Sequence, residues 1–285
     1  ADNQVPEDAV AFIEGHTQAI MGRLNKRSTQ FSLSSLETSR LYDLAMREVI
    51  SYYEPRVAPS YLARFLSASC RESAAWTSVI PTQPIFVIPP LKYSFLLAFQ
   101  IGTVLPGSSN WPSVCECGSS LSRDPFHVFG CERAYPHDRV KIQIGKFCQA
   151  AGLVPTIEPS NTCHGPCRPN IAIPDLDADG KTVLVDFTTA DPGVVSHLNR
   201  GSAKNYHTAW KHAELSKVRK YSGNYDAGVY RFLPAAVEST GRWSGGLFQL
   251  FGLVKRFARI NRIQDSVRHS AFAAHWRNVI CVVYR

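Results

Sequence analysis

The sequence predicts an α/β protein with helical segments before and after its sheet. Three observations carry that expectation. Apolar residues recur at helical spacing through much of the first 105 positions. Two apolar runs, Ile171-Ala172-Ile173 and Val183-Leu184-Val185-Asp186-Phe187-Thr188, flank Asp177-Ala178-Asp179-Gly180, which reads as the turn of a hairpin. From about 137 to 238 the order reads helix, strand, strand, strand, helix, strand, the pattern of a modest α/β core.

The elements follow in order. Ser34 with Glu37 reads as a capping box, and Leu41, Leu44, Ala45, Val49 and Tyr52 form one apolar stripe that Pro55 ends. Pro59 opens a second helix with Leu62, Phe65 and Leu66 on one face, and Pro90 a third running through Phe95 to Ile101. This first region, 1–105, shows no catalytic constellation and reads as a scaffold or interaction layer. Pro106-Gly107-Ser108-Ser109-Asn110 breaks the pattern, and a compact segment follows from Cys115 to Cys131. Val140, Ile144, Phe147, Cys148 and Ala151 are helically spaced, with Gly152 as a stop. Leu153 to Glu158 reads as a strand. After the hairpin come a charged helix over 201–222, a strand from Val229 to Val237, and a basic helical remainder. The expected divisions are therefore 1–105, 106–136, 137–244 and 245–285.

Composition bounds the partners. The 285 residues are 45% hydrophobic and 19% charged, enough for one large domain or two to three small ones with real cores. No apolar run reaches the length of a membrane span. The start, Ala1-Asp2-Asn3-Gln4, has neither Met nor a signal-peptide pattern, so we expect a processed chain or a piece of something longer. The net charge of +8 raises the expectation of an anionic partner, nucleic acid first. Most of the excess lies between 255 and 285, where seven basic residues face one acid, Asp265. Lys255, Arg259 and Arg262 share a helical face there; a solvated surface helix would look the same.

Eight cysteines are unevenly spaced. Cys70 and Cys148 lie in apolar helical patterns and read as core thiols. Cys115, Cys117, His127 and Cys131 offer four soft or borderline ligands in a short span, which suits tetrahedral zinc in a closed structural site. A loop of free thiols is the plain alternative. Cys163-His164-Gly165-Pro166-Cys167 offers a weaker cluster: a metal site, a redox pair or an ordinary loop.

Folding the hairpin about Ala178 brings Asn170 opposite Asp186, beside Arg168. Phosphodiester hydrolysis needs a divalent metal to activate water and neutralise charge. Hard cations such as Mg²⁺ or Mn²⁺ prefer oxygen ligands, and paired strands hold two such side chains about 5 Å apart. Asp186 is one candidate ligand and Glu158, at the end of the preceding strand, another. Thr188 stands where a strand lysine would follow Asp186, so the lysine must come from the next helix, which offers Lys204, Lys211, Lys217 and Lys220. Asp175 falls too near the turn to substitute. Each residue also has an ordinary reading: Asp186 as a salt bridge to Arg168 or Lys217, Glu158 as a surface carboxylate, Glu238 as a structural acceptor. Trp210 and Tyr221 read as core. Lys204, Lys211, Arg219 and Lys220 read as a face for phosphate contacts.

Four ordered features carry a resemblance. They are Cys115, Cys117, His127 and Cys131, followed by His137-Asp138; Ile157-Glu158-Pro159; Arg168-Pro169-Asn170 with Val185-Asp186; and Lys217 to Tyr221, followed by Val237-Glu238-Ser239-Thr240-Gly241. Over roughly 60–245 the chain resembles the restriction-like endonuclease module, with its zinc knuckle, of non-LTR retrotransposon polyproteins. The resemblance implies a PD-(D/E)xK-type mixed-sheet core, a catalytic Mg²⁺ or Mn²⁺, cleavage of double-stranded DNA leaving a 3′-hydroxyl, and a lysine moved from strand to helix, which favours Lys217. It also implies a link to RNA or to a reverse transcriptase in the same polyprotein, and the DNA substrate in turn implies nuclear residence.

One departure from the family matters. Its first aspartate is Asn170 here, and an amide oxygen brings no charge to a divalent ion. Cleavage then persists weakly through Asp186 and Glu158, or the module binds DNA without cutting, or the amide was introduced to silence the site. A helical interaction protein with an exposed basic tail is the remaining expectation.

Overall fold

The structure, a computed structural model, describes residues 30–101, 105–122, 124–129, 131, 136–165, 167–261 and 266–284. The chain divides into two compact units, 1–56 and 57–285. In the first, helix α1 spans Gln30–Tyr53. Ser34 and Glu37 lie inside it rather than at its start, so the expected capping box does not open this helix. Nothing in Gln30-Phe31-Ser32-Leu33 breaks a helix, which runs on past the expected cap. Leu41 and Tyr52 of the expected stripe remain exposed, and the Arg56 guanidinium lies over the Tyr52 ring at 4.1 Å.

The second unit opens with α2 (Pro59–Ala68), which has proline at its first turn, followed by the short α3 (Arg71–Ala74) and α4 (Pro90–Ile101). Leu62 and Leu66 are buried as expected, while Phe65 stays substantially exposed. Cys70 is not in the core: its sulfur caps α3 by accepting the Ser73 N–H at 3.4 Å. The expected divisions near 105, 136 and 244 all lie within this unit.

Helix α5 (Pro136–Ala150) precedes a four-stranded sheet of order β1-β2-β3-β4. β1 is only Thr156–Ile157, shorter than the expected 153–158 because Pro155 and Pro159 deny the ladder two donors. β2 (Ile171–Ile173) pairs antiparallel with β3 (Thr182–Ala190), and Ile171 stands opposite Val185. β3 then pairs in parallel with β4 (Tyr230–Glu238). Parallel neighbours need a crossover, and it comprises the short α6 (Val195–Leu198), a run of turns, and α7 (Thr208–Tyr221). The charged helix thus starts seven residues later than the sequence suggested. α8 (Gly245–Ile260), capped by the Ser244 hydroxyl, and α9 (Ser266–Tyr284) complete the fold.

Strand alternation decides what faces what. Ile171, Ile173, Val183, Val185, Phe187, Leu233, Ala235 and Val237 pack on one side of the sheet into the main core. There they meet Val140, Ile144, Phe147 and Cys148 of α5, Leu247, Leu250 and Val254 of α8, and Ile280 of α9. The even-numbered side carries Asp186 and Glu238 and is covered by α7, whose Tyr221 stacks on Phe232 at 4.3 Å. Pro234, in register with Asp186, is accommodated because β4 is an edge strand. Among the described residues no helix is long and apolar enough to cross a membrane.

Candidate functional sites

Two sites emerge, one built by local turns and one by strand register. The first is the Cys/His loop. Gly118, at φ 92°, turns the chain back after Cys117. Cys115 N donates to Ser119 O, Gly118 N donates to Cys115 O, and a bridge between Val114 and Ser120 closes the loop. Asp124 then starts a 3₁₀ turn over Pro125–Phe129: its carboxylate accepts the Phe126 N–H and its carbonyl the His127 N–H. That turn presents His127 to the cysteines. The ligand atoms of Cys115, Cys117, His127 and Cys131 all lie within 4.8 Å of one another.

These donors fit a tetrahedral metal. Cys115 Sγ and Cys131 Sγ are 3.7 Å apart. That is far too long for a disulfide and close to the separation of about 3.8 Å between two thiolates on one zinc. Cys117 Sγ lies 2.9 Å from His127 Nε2. Bonds from Ser119, opposed by slight desolvation and reinforced by His127, bring the Cys117 thiol down to about 6, toward the thiolate a metal requires. With three cysteines and a histidine the set is complete, so zinc here would be structural. Among the described residues it is the sole group of three or more such side chains placed to hold a metal. Cys163, His164 and Cys167 do not form such a group; burial and, less strongly, the nearby Cys167 and Asp186 push the Cys163 thiol up, and Cys167 Sγ contacts the Lys220 carbonyl at 3.4 Å.

The second site lies where β2 and β3 part. The ladder's last pair is Ile171 with Val185, and one step on Asn170 stands beside Asp186. Here the Asn170 side chain replaces a main-chain acceptor: its Oδ1 accepts the Phe187 N–H at 2.6 Å, while Asn170 N donates to Val185 O. Asp186 is buried, and its carboxylate meets Lys217 Nζ of α7 at 2.7 Å. Tyr221, one turn further along α7, is fully buried against the same carboxylate. Burial first, then Asp186, pushes its phenol above the ordinary tyrosine value. The structure thus joins Asn170, Asp186 and Lys217.

Glu158 reaches the same strand end through its backbone, its N–H donating to Asn170 O at 2.8 Å. Its φ of 49° is a left-handed conformation rare for a non-glycine residue, and it directs the carboxylate to α5. There Lys141 Nζ lies 2.5 Å from Glu158 Oε1 and 2.9 Å from Asp138 Oδ1, and Arg168 flanks the other Glu158 oxygen at 3.2 Å. The bond to Lys141 and its charge hold the Glu158 carboxyl below the usual carboxylate range. Burial acts to lower the Lys141 ammonium, but Glu158 and Asp138 outweigh it and hold it above the ordinary lysine value. Lys141 escaped the sequence reading because it adjoins the apolar stripe of α5. Its i,i+3 spacing from Asp138 was the available signal.

Glu238 sits at the far end of β4, wholly buried, and accepts bonds from Ser67 Oγ and Trp210 N. Burial pushes its carboxyl up to about 7 despite those bonds. It is the structural acceptor expected from the sequence. Of the basic residues, Lys204 precedes α7 in a turn, and Lys211 and Lys220 are exposed on α7. Lys255 and Arg259 are exposed on α8, next to buried Val254 and Ala258, whereas Arg262 lies outside the described residues.

No protein-family model matches this chain, and no match is found among curated proteins.

Proposed function

We propose that this chain is a DNA endonuclease module of restriction-endonuclease-like type whose metal-dependent cleavage is weakened at Asn170. The observation that carries the reading is the meeting of Asn170, Asp186 and Lys217 at the open end of the β2–β3 pair. The element order from α5 to β4 supports it, since a helix, three strands, a helix and a parallel strand place those residues on one rim. Oxygen donors from Asp186 and Asn170 would hold Mg²⁺ or Mn²⁺, with Glu158 joining them once its carboxylate turns away from Lys141, and the ion would supply charge neutralisation and an acidified water. Lys217, on the Asp186 carboxylate, would orient that water or stabilise charge on the phosphorane oxygens. Water adds at phosphorus, the P–O3′ bond breaks, and the 3′ oxygen leaves as a hydroxyl. The substrate is double-stranded DNA, bound through the exposed lysines of α7 and the basic face of α8, and the site of action is nuclear.

A second reading has its own observation. Each carboxylate of the site already has a cation: Lys217 on Asp186, Lys141 and Arg168 on Glu158. An amide adds no charge to draw a metal in. That favours a zinc-bearing DNA-binding module without cleavage. A nicking assay on supercoiled DNA, with Mg²⁺ or Mn²⁺ and Asp186→Ala as control, decides. Nicking that the control lacks supports the endonuclease; salt-sensitive binding without nicking leaves the binder. If the chain neither cuts nor binds DNA, both readings fall.

A further inference from the structure

The most heavily paired cation of the described residues serves neither site directly. Arg64, on α2, is buried with its side chain only 7% exposed. Its Nη1 and Nη2 donate to the two carboxylate oxygens of Asp124 at 2.9 and 2.7 Å, and its Nε and Nη2 donate to those of Asp191 at 3.1 and 2.8 Å. The two acids belong to different parts of the fold. Asp124 opens the 3₁₀ turn that presents His127 to the cysteines. Asp191 directly follows β3, and its carboxylate also accepts the Gly193 N–H at 2.9 Å and the Ser239 hydroxyl at 3.3 Å. Gly193 leaves room for the guanidinium, since a Cβ there would stand 2.7 Å from its carbon. Phe126, in the same turn, is buried between Tyr61 of α2 and Phe99 of α4, with ring centroids 5.3 and 5.6 Å away.

We propose that Arg64 is a strut that couples metal binding in the Cys/His loop to the order of the sheet, so that the end of β3 sets the loop's affinity for zinc. The argument is energetic. A buried guanidinium shared by two carboxylates is well served only while both are in place, because losing either leaves N–H donors without acceptors in a poorly solvated site. When the loop lacks its metal, little apolar surface holds it beyond Leu121 and Phe126, and Asp124 loses the turn that aims it. Arg64 is then half-paired, and the strain falls on Asp191 and the segment joining β3 to α6. Linkage makes the effect reciprocal: whatever loosens Asp191 must weaken zinc binding by the same factor. This inference is independent of whether the sheet site cuts DNA.

The test uses Asp191, which bonds Arg64, Gly193 and Ser239 rather than a ligand of the loop. Zinc affinity of the full chain is measured by competition with a chromophoric chelator, for the parent and for Asp191→Asn. The substitution keeps an acceptor for Gly193 and Ser239 but removes the charge facing Arg64. The expected result is about tenfold weaker zinc binding, within the range usual for coupled sites, with one zinc per chain and all four ligands unchanged. Asp124→Asn, whose side-chain oxygen still accepts the Phe126 N–H, serves as a second variant if the first does not fold. In it the rise in melting temperature on adding zinc should shrink relative to the parent. Equal zinc affinity in parent and Asp191→Asn, an unchanged zinc-linked shift in Asp124→Asn, or a parent that binds no zinc would each overturn the proposal.

Discussion

The Cys/His loop and the β2–β3 rim both gather polar side chains around a point, but by opposite means. In the loop, four donors come from seventeen consecutive residues and are aimed by turns a few residues long: Gly118 behind Cys117, Asp124 ahead of His127. Beside the Cys117 sulfur stand His127 Nε2 and the Ser119 hydroxyl. At the rim, Asn170, Asp186 and Lys217 come from separate stretches of chain and meet because strands register and a crossover returns, while the Glu158 carboxylate turns to Lys141. There every carboxylate faces a lysine. A locally built soft site is thus arranged for metal in advance, whereas the rim is arranged as ion pairs that a metal would have to displace. The loop is the better metal site for that physical reason, although the rim is the one to which we assign the chemistry.

Breaking the loop should have the largest effect. Cys131→Ser removes the buried ligand, and metal analysis should fall from one zinc per chain to well below one. Structural zinc sites contribute several kcal/mol or more, so the melting temperature should drop by roughly 10 °C or more for a unit this size. An unchanged melting curve would make the loop an ornament. At the rim, Asn170→Asp adds a charge where only an amide oxygen now stands. Mn²⁺-dependent nicking should rise by about 10- to 100-fold, and a flat response would favour the binder.

Two pH experiments sharpen the contrast between buried and exposed carboxylates. Glu238 titrates near 7 when folded against 4.5 as a free side chain. The folded state therefore holds the proton more tightly, and stability is lost as pH rises from about 4.5 through 7. Glu238→Gln should remove that slope, which amounts to on the order of 3 kcal/mol; denaturant titrations at pH 5 and 8 read it directly. Glu158 is shifted the other way, below its usual range. Its contribution is present above the ordinary carboxylate value and lost as pH falls through the lowered one. Lys141→Met should move the acid-unfolding midpoint up by only about a few tenths of a pH unit, because the carboxylate is exposed and screened. A shift as large as that of the Glu238 variant would mean that the rim is drier than its exposure indicates.

Much of this was legible beforehand, for identifiable reasons. Helix α5 and its stop at Gly152 follow from spacing alone, as does the alignment of Asn170 with Asp186, because a tight turn at 177–180 leaves a single register that buries one face. The start of α1 departs from the expected one because no residue breaks the helix before Ser34, and that of α7 because turns precede it. The second cysteine cluster reads as a ligand set because spacing does not reveal whether His164 joins the two sulfurs.

The sequence by itself determined the periodicities, the turn at Asp177–Gly180 and the grouping of three cysteines with His127, because each depends on residues close along the chain. Only the tertiary structure decided the partners of charge: Lys141 for Glu158, Lys217 for Asp186, and Arg64 for both Asp124 and Asp191. Electrostatic pairing depends on distance and burial in space. Arg64 and Asp191 stand 127 positions apart in the chain yet within hydrogen-bond reach in the fold.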